Sequence, residues 1–186
     1  HDIIMMQNQL RTDAQMDEVT GIYNKNYAIA AISSALLEKD ERAFDAVLFL
    51  DIDNFKAIND TYGHLEADKV LQKIGMTLRS LFRENDIVAR FGGDEFIVYM
   101  KSAGGLQIVT EKANAVIQAI HEIKIGDAAP ICCSIGITGI VGKGISYESV
   151  LKRADAALYE AKENGKNQYA VLTCQVDRTQ YPRQGN

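Results

Sequence analysis

Two glycines and two carboxylates follow one another between two apolar runs of the chain, residues 86–91 and residues 96–100. Apolar runs joined by a short glycine-rich segment predict a β-hairpin, with the Gly-Gly-Asp-Glu segment of residues 92–95 at its tip. Glycines allow a ligand to approach the backbone, and adjacent carboxylates can hold a divalent cation beside that ligand. A solvated turn is the simpler interpretation of this segment alone, and both interpretations stay open here.

A second pair of acids, Asp51 and Asp53, ends an almost wholly apolar run over residues 43–52. Such a run predicts a central strand, and because side chains alternate along a strand, both carboxylates are expected to point the same way. Crowded carboxylates repel each other unless a cation neutralises them, and Mg²⁺ suits one or two carboxylates plus phosphate oxygens. If this strand lies beside the hairpin, Asp51 and Asp94 can converge on one ion. Two solvated loop acids are the alternative.

Polar residues are dense between residues 54 and 68. Asn and Asp side chains together can donate to and accept from a guanine edge, and Lys56 is close enough in sequence to reach a phosphate that the acids hold. The same residue types favour turns, so this composition alone requires no function. The chain has no P-loop glycine–lysine motif. Bound phosphates must therefore be held by metal, separate lysines and backbone amides.

Composition limits the class of protein. The 186 residues suffice for one domain with a buried core, and a formal charge of −5 argues against nucleic-acid or anionic-membrane binding, which both need a basic face. Cys132 and Cys133 lie in an apolar run and form no metal-ligand spacing with Cys174, so we expect buried free thiols and a reducing, cytoplasmic compartment. No apolar stretch reaches the roughly 18–20 residues of a membrane helix. Because the first residue is His1, we expect a piece of a longer protein, such as the cytoplasmic part of a sensor that can itself be membrane-bound.

The spacing of apolar residues predicts the elements that position these side chains. Apolar stripes at three- and four-residue intervals predict helices, and continuous or alternating apolar runs predict strands. The predicted helices cover residues 1–16, 25–39, 55–60, 66–83, 105–122 and 147–163. The predicted strands cover residues 43–52, the hairpin of 87–100, 131–140 and 167–172. The chain is therefore expected to be an α/β protein whose central sheet has mixed direction and is flanked by helices.

Taken together, the motifs of the chain resemble the GGDEF-domain diguanylate cyclases. The motifs that carry the resemblance are Asp51-Ile-Asp-Asn-Phe-Lys-Ala-Ile-Asn-Asp-Thr-Tyr-Gly-His64, then Asp68, then Arg90-Phe-Gly-Gly-Asp-Glu-Phe96, with Asp17-Glu-Val-Thr-Gly21 before them and Ala154-Asp-Ala-Ala-Leu-Tyr-Glu-Ala-Lys162 and Gly165-Lys-Asn167 after them. The resemblance covers about residues 17–172, and several spaced motifs in the right order make it specific.

The resemblance implies a ferredoxin-like fold related to nucleotidyl-cyclase and polymerase palm domains. It divides the chain into the end of a signalling helix over residues 1–16, a catalytic domain over residues 17–174 and a polar tail, expected to be disordered, over residues 175–186. It also implies a GTP-dependent nucleotidyltransferase of bacterial signalling. Each domain binds one GTP, two domains meet head to head as a homodimer, and each 3′-hydroxyl attacks the α-phosphate of the opposite GTP. The products are cyclic di-GMP and two pyrophosphates, and Mg²⁺ or Mn²⁺ organises the phosphates.

The resemblance also assigns metal-binding and catalytic roles by position. Asp51, the backbone carbonyl of Ile52 and Asp94 match the residues that hold the metal. Asp94 matches the position that deprotonates the attacking hydroxyl, and Glu95 is a second acid that is a candidate to help bind metal. Lys56 matches a residue that stabilises the transition state.

Seven further residues match contacts to GTP. They are Asn59 and Asp68, which read the guanine; His64, close to the ligand; Gly92 and Gly93, which leave room for the phosphates; and Lys162 and Lys166, which contact the triphosphate.

Three positions depart from the usual family pattern. The third signature residue is Asp94, where many members carry Glu, and both residues are common. Ala67 replaces the usual Gly before Asp68, which we expect to shift the guanine pocket slightly. Lys166 replaces the usual Arg, and because a point charge lacks the bidentate geometry of a guanidinium, we expect weaker triphosphate binding.

The segment Arg83-Glu-Asn-Asp86, just before the hairpin, matches the inhibitory RxxD site of the family at the expected offset. An Arg can form a bidentate contact with a guanine or phosphate, and an Asp can accept from a guanine edge. An Arg and an Asp three residues apart at a helix end are otherwise ordinary surface residues. The resemblance implies product inhibition, in which cyclic di-GMP cross-links domains away from catalytic alignment.

An active diguanylate cyclase is the leading hypothesis, and two alternatives differ from it in class. One is an inactive domain that acts as a receptor for cyclic di-GMP, through Arg83 and Asp86, or for GTP. The other is a GTP-binding regulatory domain attached to a phosphodiesterase. Inactive members usually lose signature acids or glycines, whereas this chain keeps Asp51 and all of residues 92–95.

Overall fold

A six-stranded mixed sheet is the centre of the fold in the computed structural model, which describes residues 14–126 and 130–175. The strands are β1 (Asp45–Ile52), β2 (Ile87–Arg90), β3 (Glu95–Met100), β4 (Cys133–Val141), β5 (Tyr169–Val171) and β6 (Cys174–Gln175). Five of them lie in the order β2-β3-β1-β4-β5, and β6 pairs with the far part of β4. The first four are antiparallel to their neighbours, while β5 and β6 run parallel to β4. The predicted mixed sheet is confirmed.

Five helices of the described residues cover the two faces of this sheet. They are α1 (Lys25–Glu38), α2 (Phe55–Tyr62), α3 (His64–Leu81), α4 (Leu106–His121) and α5 (Tyr147–Glu163). Each predicted helix within this part of the chain is found with ends within a few residues of those expected. The order β1-α2-α3-β2-β3-α4-β4, with β1 between β3 and β4, is the βαββαβ arrangement of a ferredoxin-like core, with two helices in its first crossover.

Alternation along β1 divides the core into two layers. Leu48 and Leu50 pack into the cluster that contains α3 and α4, whereas Val47 and Phe49 pack into the cluster that contains α1 and α5. Each fully buried Leu contributes roughly 1.5–3 kcal/mol to stability relative to exposure. Because the side-chain period of a strand is two residues, Asp51 continues the face that is covered by α5.

Two expectations need correction or lie outside the described residues. The predicted N-terminal helix lies mostly outside them, and residues 14–16 form a turn and a bridge between Met16 and Tyr23 rather than helix. The expectation that Cys132 and Cys133 are both buried is wrong for Cys132, which lies just before β4 and is partly exposed; Cys133 and also Cys174 are buried. Within the described residues, no helix combines the length and apolar composition needed to cross a bilayer.

Gly136 on β4 lets α5 pack directly against the sheet, and we predict that Gly136→Ala destabilises the fold. A β-carbon there would lie 2.0 Å from the Ala154 carbonyl oxygen and 2.4 Å from the Leu158 nitrogen, both of them helix backbone. The expected loss in free energy of unfolding, measured in urea, is about 1–3 kcal/mol or more.

Gly139→Ala is the matched control on the same strand. Its β-carbon would meet only the ring of Phe44, at 2.7 Å, and a side chain can turn away more easily than a helix backbone. An equal loss of stability in the two variants would contradict the assignment of close helix packing to Gly136.

Candidate active site

The tip of the β2–β3 hairpin is a tight turn in which the backbone amides of Phe91 and Gly92 both donate to the Glu95 carbonyl, at 2.8 and 3.2 Å. A β-carbon on Gly92 would lie 2.4 Å from Glu95 Oε2, so the glycine is required for this carboxylate to fold back over the turn. Gly93 has open space around its Cα. The predicted Gly-Gly tip is therefore confirmed, with backbone accessible to a ligand at Gly93.

Strand pairing brings the two predicted acid pairs to one end of the sheet. β1 pairs with β3 so that Asp51 lies opposite Glu95, and the Ile52 amide donates to the Asp94 carbonyl at 3.1 Å. The condition set for convergence of Asp51 and Asp94, that the central strand lies beside the hairpin, is met. Asp51 thus lies at a strand end beside Asp94 and Glu95, although it is more than 40 residues from them in sequence.

Negative charge is concentrated where these strand ends meet. Burial raises the pKa of the Asp51 carboxyl, the charges of Asp94 and Asp53 raise it further, and the 2.7 Å contact with Lys162 Nζ lowers it without offsetting the rise. Burial likewise raises the pKa of Glu95, followed by the charges of Asp51 and Asp94. A cation bound beside these carboxylates would favour their ionised forms.

The donor set fits a hard divalent cation that binds together with a phosphate ligand. Among the described residues, no group of three or more His, Cys, Asp or Glu side chains is arranged to hold a metal ion. The set expected from the sequence is smaller: the carboxylates of Asp51 and Asp94 and the carbonyl of Ile52. Mg²⁺ is commonly bound by one or two carboxylates, with waters and substrate phosphates filling its other positions.

The predicted guanine-reading residues lie on α2 and α3, which meet at Gly63. Asn59 on α2 has a buried Oδ1 atom with no hydrogen-bond partner among the described residues. An unsatisfied buried polar atom costs about 1–3 kcal/mol, so a hydrogen bond donated to this oxygen by a bound ligand would recover that cost. His64 and Asp68 are exposed one helical turn apart at the start of α3, and Lys56 is exposed on α2.

The two acids at the end of β1 have different partners. Asp51 contacts Lys162, whereas Asp53 is buried and accepts hydrogen bonds from Ser134 Oγ at 2.8 Å and from the Asn167 amide at 3.0 Å. Their charges still interact, because Asp53 raises the pKa of Asp51. The alternative interpretation of two solvated loop acids is therefore wrong for Asp53, which is buried. Lys166, predicted to contact the triphosphate, donates from Nζ to Asn54 Oδ1 at 3.0 Å.

Arg90 holds the hairpin tip, a role that the sequence pattern does not indicate. Its Nε donates to the Gly92 carbonyl at 3.1 Å and its Nη2 to the Gly93 carbonyl at 2.7 Å. Its Nη1 reaches Asp17 Oδ1 at 3.3 Å, which ties the tip to the first turn of the domain. Asp17 and Arg90 both lie in motifs that carry the family resemblance. They are 73 positions apart, and no local sequence pattern predicts that they are in contact.

The Arg83–Asp86 segment forms a rigid turn at the other end of the hairpin. The buried Asp86 carboxylate accepts from the Arg83 amide at 3.0 Å and from the Lys101 amide at 3.2 Å. A cavity of about 490 Å³ is lined by Arg83, Asn85, Asp86, Lys101 and Ser102. Arg83 is exposed at this cavity, while Asp86 also has a structural role that the sequence did not indicate.

Comparison with known proteins assigns the family. A family model described as "Diguanylate cyclase, GGDEF domain" matches residues 14–168. The chain is 31% identical over 173 residues to cyclic di-GMP phosphodiesterase PdeR of Escherichia coli (strain K12), covering 92% of this chain and 26% of that protein. It is 38% identical over 165 residues to diguanylate cyclase DgcP of Pseudomonas aeruginosa, covering 87% of this chain and 24% of that protein. The chain thus spans about a quarter of the length of these two curated relatives.

A solved structure supports the same assignment. The chain is similar to the coiled coil and GGDEF domain of DgcB from Caulobacter crescentus in complex with c-di-GMP, with a TM-score of 0.80, 25% identity and 92% of both chains covered. The palm-type nucleotidyl-cyclase fold expected from the sequence is confirmed.

The Asp17–Arg90 contact predicts a pH-dependent contribution to stability. Burial alone would raise the pKa of Asp17, but its hydrogen bonds to Thr20 and the nearby Arg90 guanidinium together lower it below the ordinary value. A lowered folded-state pKa stabilises the protein above the unfolded pKa, and this contribution is lost as the pH falls through about 4 and below. Asp17→Asn should therefore lower the free energy of unfolding by roughly 0.5–1.5 kcal/mol at pH 7.

Urea unfolding as a function of pH measures this contribution. The difference between parent and Asp17→Asn should shrink as the pH falls below about 4, because the carboxylate is protonated first in the unfolded parent and, at lower pH, in the folded parent as well. Glu18→Gln, at the exposed neighbouring position, is the control and should show no such trend. A difference that stays constant with pH would contradict the ion pair.

Proposed function

Since the chain belongs to the GGDEF domain family, we propose that it is a diguanylate cyclase that converts two GTP into cyclic di-GMP and two pyrophosphates. The observation that carries the proposal is the arrangement of its acids: Glu95 lies opposite Asp51 on paired strands, Asp94 directly precedes Glu95, and Lys162 is 2.7 Å from Asp51. This arrangement combines a hydroxyl-activating carboxylate with cationic contacts for phosphate, which phosphoryl transfer needs.

Asp94 is the proposed general base for the attacking 3′-hydroxyl. Its position at the tip, where Gly93 leaves the backbone open, suits contact with a hydroxyl presented from outside the domain. When bound by Asp51, the Ile52 carbonyl and Asp94, Mg²⁺ or Mn²⁺ would neutralise charge on the phosphates. Lys56, exposed on α2, would stabilise the charge that develops during transfer.

Binding of GTP is proposed to use the two ends of the site. Asn59 Oδ1, buried without a partner among the described residues, would accept from the guanine edge, together with Asp68 and beside His64. Lys162 and Lys166 would hold the triphosphate near the acids. The ammonium group of Lys162 contacts the Asp51 carboxylate in the free protein. This contact would shift from the carboxylate to a phosphate as the ligand binds.

One domain of this kind would hold one GTP, so we propose that catalysis requires a homodimer in which two tips face each other. The rate should then rise more steeply than linearly with enzyme concentration while the protein is mostly monomeric. We also assign the reaction to the cytoplasm, where GTP is available and the free thiols of this chain stay reduced.

A second candidate function is suggested by one comparison. The relative PdeR, 31% identical to this chain, is named a cyclic di-GMP phosphodiesterase. The chain would then be a GTP-binding regulatory domain of a longer enzyme. Such a domain, or an inactive receptor, would bind GTP or cyclic di-GMP without turnover, so a single assay separates these functions from a cyclase.

The assay incubates the protein with GTP and Mg²⁺ and resolves the nucleotides by chromatography after bound product has been stripped. We expect cyclic di-GMP from the parent and a loss on the order of 10³-fold or more in Asp94→Asn, because an amide cannot accept the hydroxyl proton. Asp155→Asn is the matched control: Asp155 is an exposed acid close enough to raise the pKa of Glu95, and its variant should retain turnover. The proposal would be contradicted if the parent protein made no cyclic di-GMP at high protein concentration.

We further propose that cyclic di-GMP inhibits the enzyme by binding at the cavity of Arg83 and Asp86. The exposed Arg83 and the nearby Lys101 would supply positive charge for its phosphates. The Asp86 carboxylate positions both residues, because it accepts hydrogen bonds from their backbone amides. The dinucleotide would bridge two domains and keep their tips apart. This site is separate from the tip, so inhibition and turnover can be changed independently.

Arg83→Ala should raise the inhibition constant for added cyclic di-GMP roughly tenfold to hundredfold, the effect of losing a charge-assisted contact. Initial turnover, before product accumulates, should persist. Glu84→Ala, an exposed neighbour that does not line the cavity, should leave the inhibition curve unchanged. An unchanged curve in Arg83→Ala itself would show that inhibition acts elsewhere.

A further inference from the structure

Asp53 is a buried carboxylate whose two oxygens are both occupied by protein donors. Asp53 is only 8% exposed. Its Oδ1 accepts a hydrogen bond from Ser134 Oγ at 2.8 Å, and its Oδ2 accepts one from the Asn167 amide at 3.0 Å. Burial of a charge is unfavourable unless hydrogen bonds compensate it. The two hydrogen bonds fix the orientation of the carboxylate between β4 and the loop that follows α5, which indicates a structural use for the residue.

The segment that Asp53 holds has an unusual backbone. Gly165, Lys166 and Asn167 follow α5 with φ values of 112°, 63° and 48°. Non-glycine residues adopt positive φ only where the surrounding structure supports it. The Lys166 amide donates back to the Ala161 carbonyl at 3.1 Å, and the Asn167 amide donates to Asp53, so hydrogen bonds fix both non-glycine residues.

The consequence of this backbone is the position of the Lys166 side chain. Its Nζ reaches Oδ1 of Asn54, the residue after Asp53, at 3.0 Å. On the preceding helix, Lys162 reaches Asp51, two residues before Asp53. The end of β1 and the end of α5 are thus joined by three side-chain contacts, and of the three residues of β1 and its end that make them, only Asp53 is buried.

We propose that Asp53 is a positioning residue: it holds the loop of Lys166 and Asn167 against the end of β1, so that Lys166 stands beside Lys162 where the triphosphate would bind. The inference rests on the proposed function, which supplies the triphosphate. It assigns Asp53 no contact with the metal, and it predicts that Asp53 affects GTP binding through Lys166.

Two substitutions separate positioning from metal binding. Asp53→Ala removes both hydrogen bonds and should raise the KM for GTP about tenfold, with a smaller change in kcat, because a misplaced lysine weakens triphosphate binding. Asp53→Asn should restore most of the affinity: its amide oxygen can accept from Asn167, and its NH₂ group can donate to the Ser134 hydroxyl, which accepts as well as donates. The Mg²⁺ concentration for half-maximal activity should stay at the parent value in both variants. A large loss of kcat in Asp53→Asn, with a raised Mg²⁺ requirement, would identify a metal ligand and overturn the proposal.

A double-mutant cycle tests the path through Lys166. The KM effect of Asp53→Ala should disappear in a Lys166→Ala background, whereas independent effects would multiply and contradict the proposal. Asp45→Ala is the matched control, since Asp45 lies at the opposite end of β1, is buried, and accepts from the Tyr99 hydroxyl and the Ser102 amide. It should lower stability and leave the KM for GTP unchanged.

Amide hydrogen exchange provides a readout that does not depend on turnover. Exchange of the Asn167 amide should accelerate at least about tenfold in Asp53→Ala and stay near the parent rate in Asp53→Asn, because only the former loses the acceptor. Equal exchange in all three proteins would overturn the positioning role. A parent without cyclase activity but with this exchange pattern would overturn the proposed function and leave the role of Asp53 in holding the loop. If Asp53→Ala does not fold, kcat and the Mg²⁺ requirement of Asp53→Asn decide between the two roles.

Discussion

The register of β1 between β3 and β4 is the constraint on which the rest of the site depends. It places Asp51 opposite Glu95 on one side and opposite Ser134 on the other, and it brings the Ile52 amide to the Asp94 carbonyl. A slip by one residue would turn Asp51 towards α3 and bury Leu50 on the wrong layer, because the side-chain period of a strand is two. The hydrophobic core therefore determines where the acids lie, and the register is protected by every buried residue of the strand.

That placement is electrostatically unfavourable by itself. Asp51 and Glu95 are partly buried near each other and near Asp94, and the pKa of both is raised by burial and by neighbouring negative charge. Lys162 relieves only part of this repulsion. Sites of this kind are preorganised for a ligand, because a bound cation with its phosphates would supply the compensating charge that the free protein lacks. The orphaned Oδ1 of Asn59 has the same character at the guanine end of the proposed site.

The sequence predicted the elements well because each carries its own periodic pattern. It predicted the hairpin tip and the central strand from these patterns. It predicted the convergence of Asp51 with Asp94 on the condition that the two elements are neighbours, because acids at adjacent strand ends then lie close together. It did not reveal the partners of Asp53 or the contact of Arg90 with Asp17, since these depend on segments 114 and 73 residues away. It also assigned Asp86 to ligand binding alone, whereas the carboxylate fixes a turn through two backbone amides, a role that composition cannot indicate.

The hairpin itself constrains how the two proposed sites can communicate. Residues 92–95 lie at one end of it, while Asp86 precedes β2 and Lys101 follows β3 at the other end. The six residues of β3 extend over roughly 20 Å, and the strand is paired on both sides and buried along its length. A dinucleotide at the Arg83 cavity therefore cannot occupy the triphosphate position. A buried strand that is paired on both sides also does not easily transmit a small local displacement from one end to the other. The inhibition that we propose at that end would therefore act on the relative placement of two domains, because the proposed reaction needs two opposed tips.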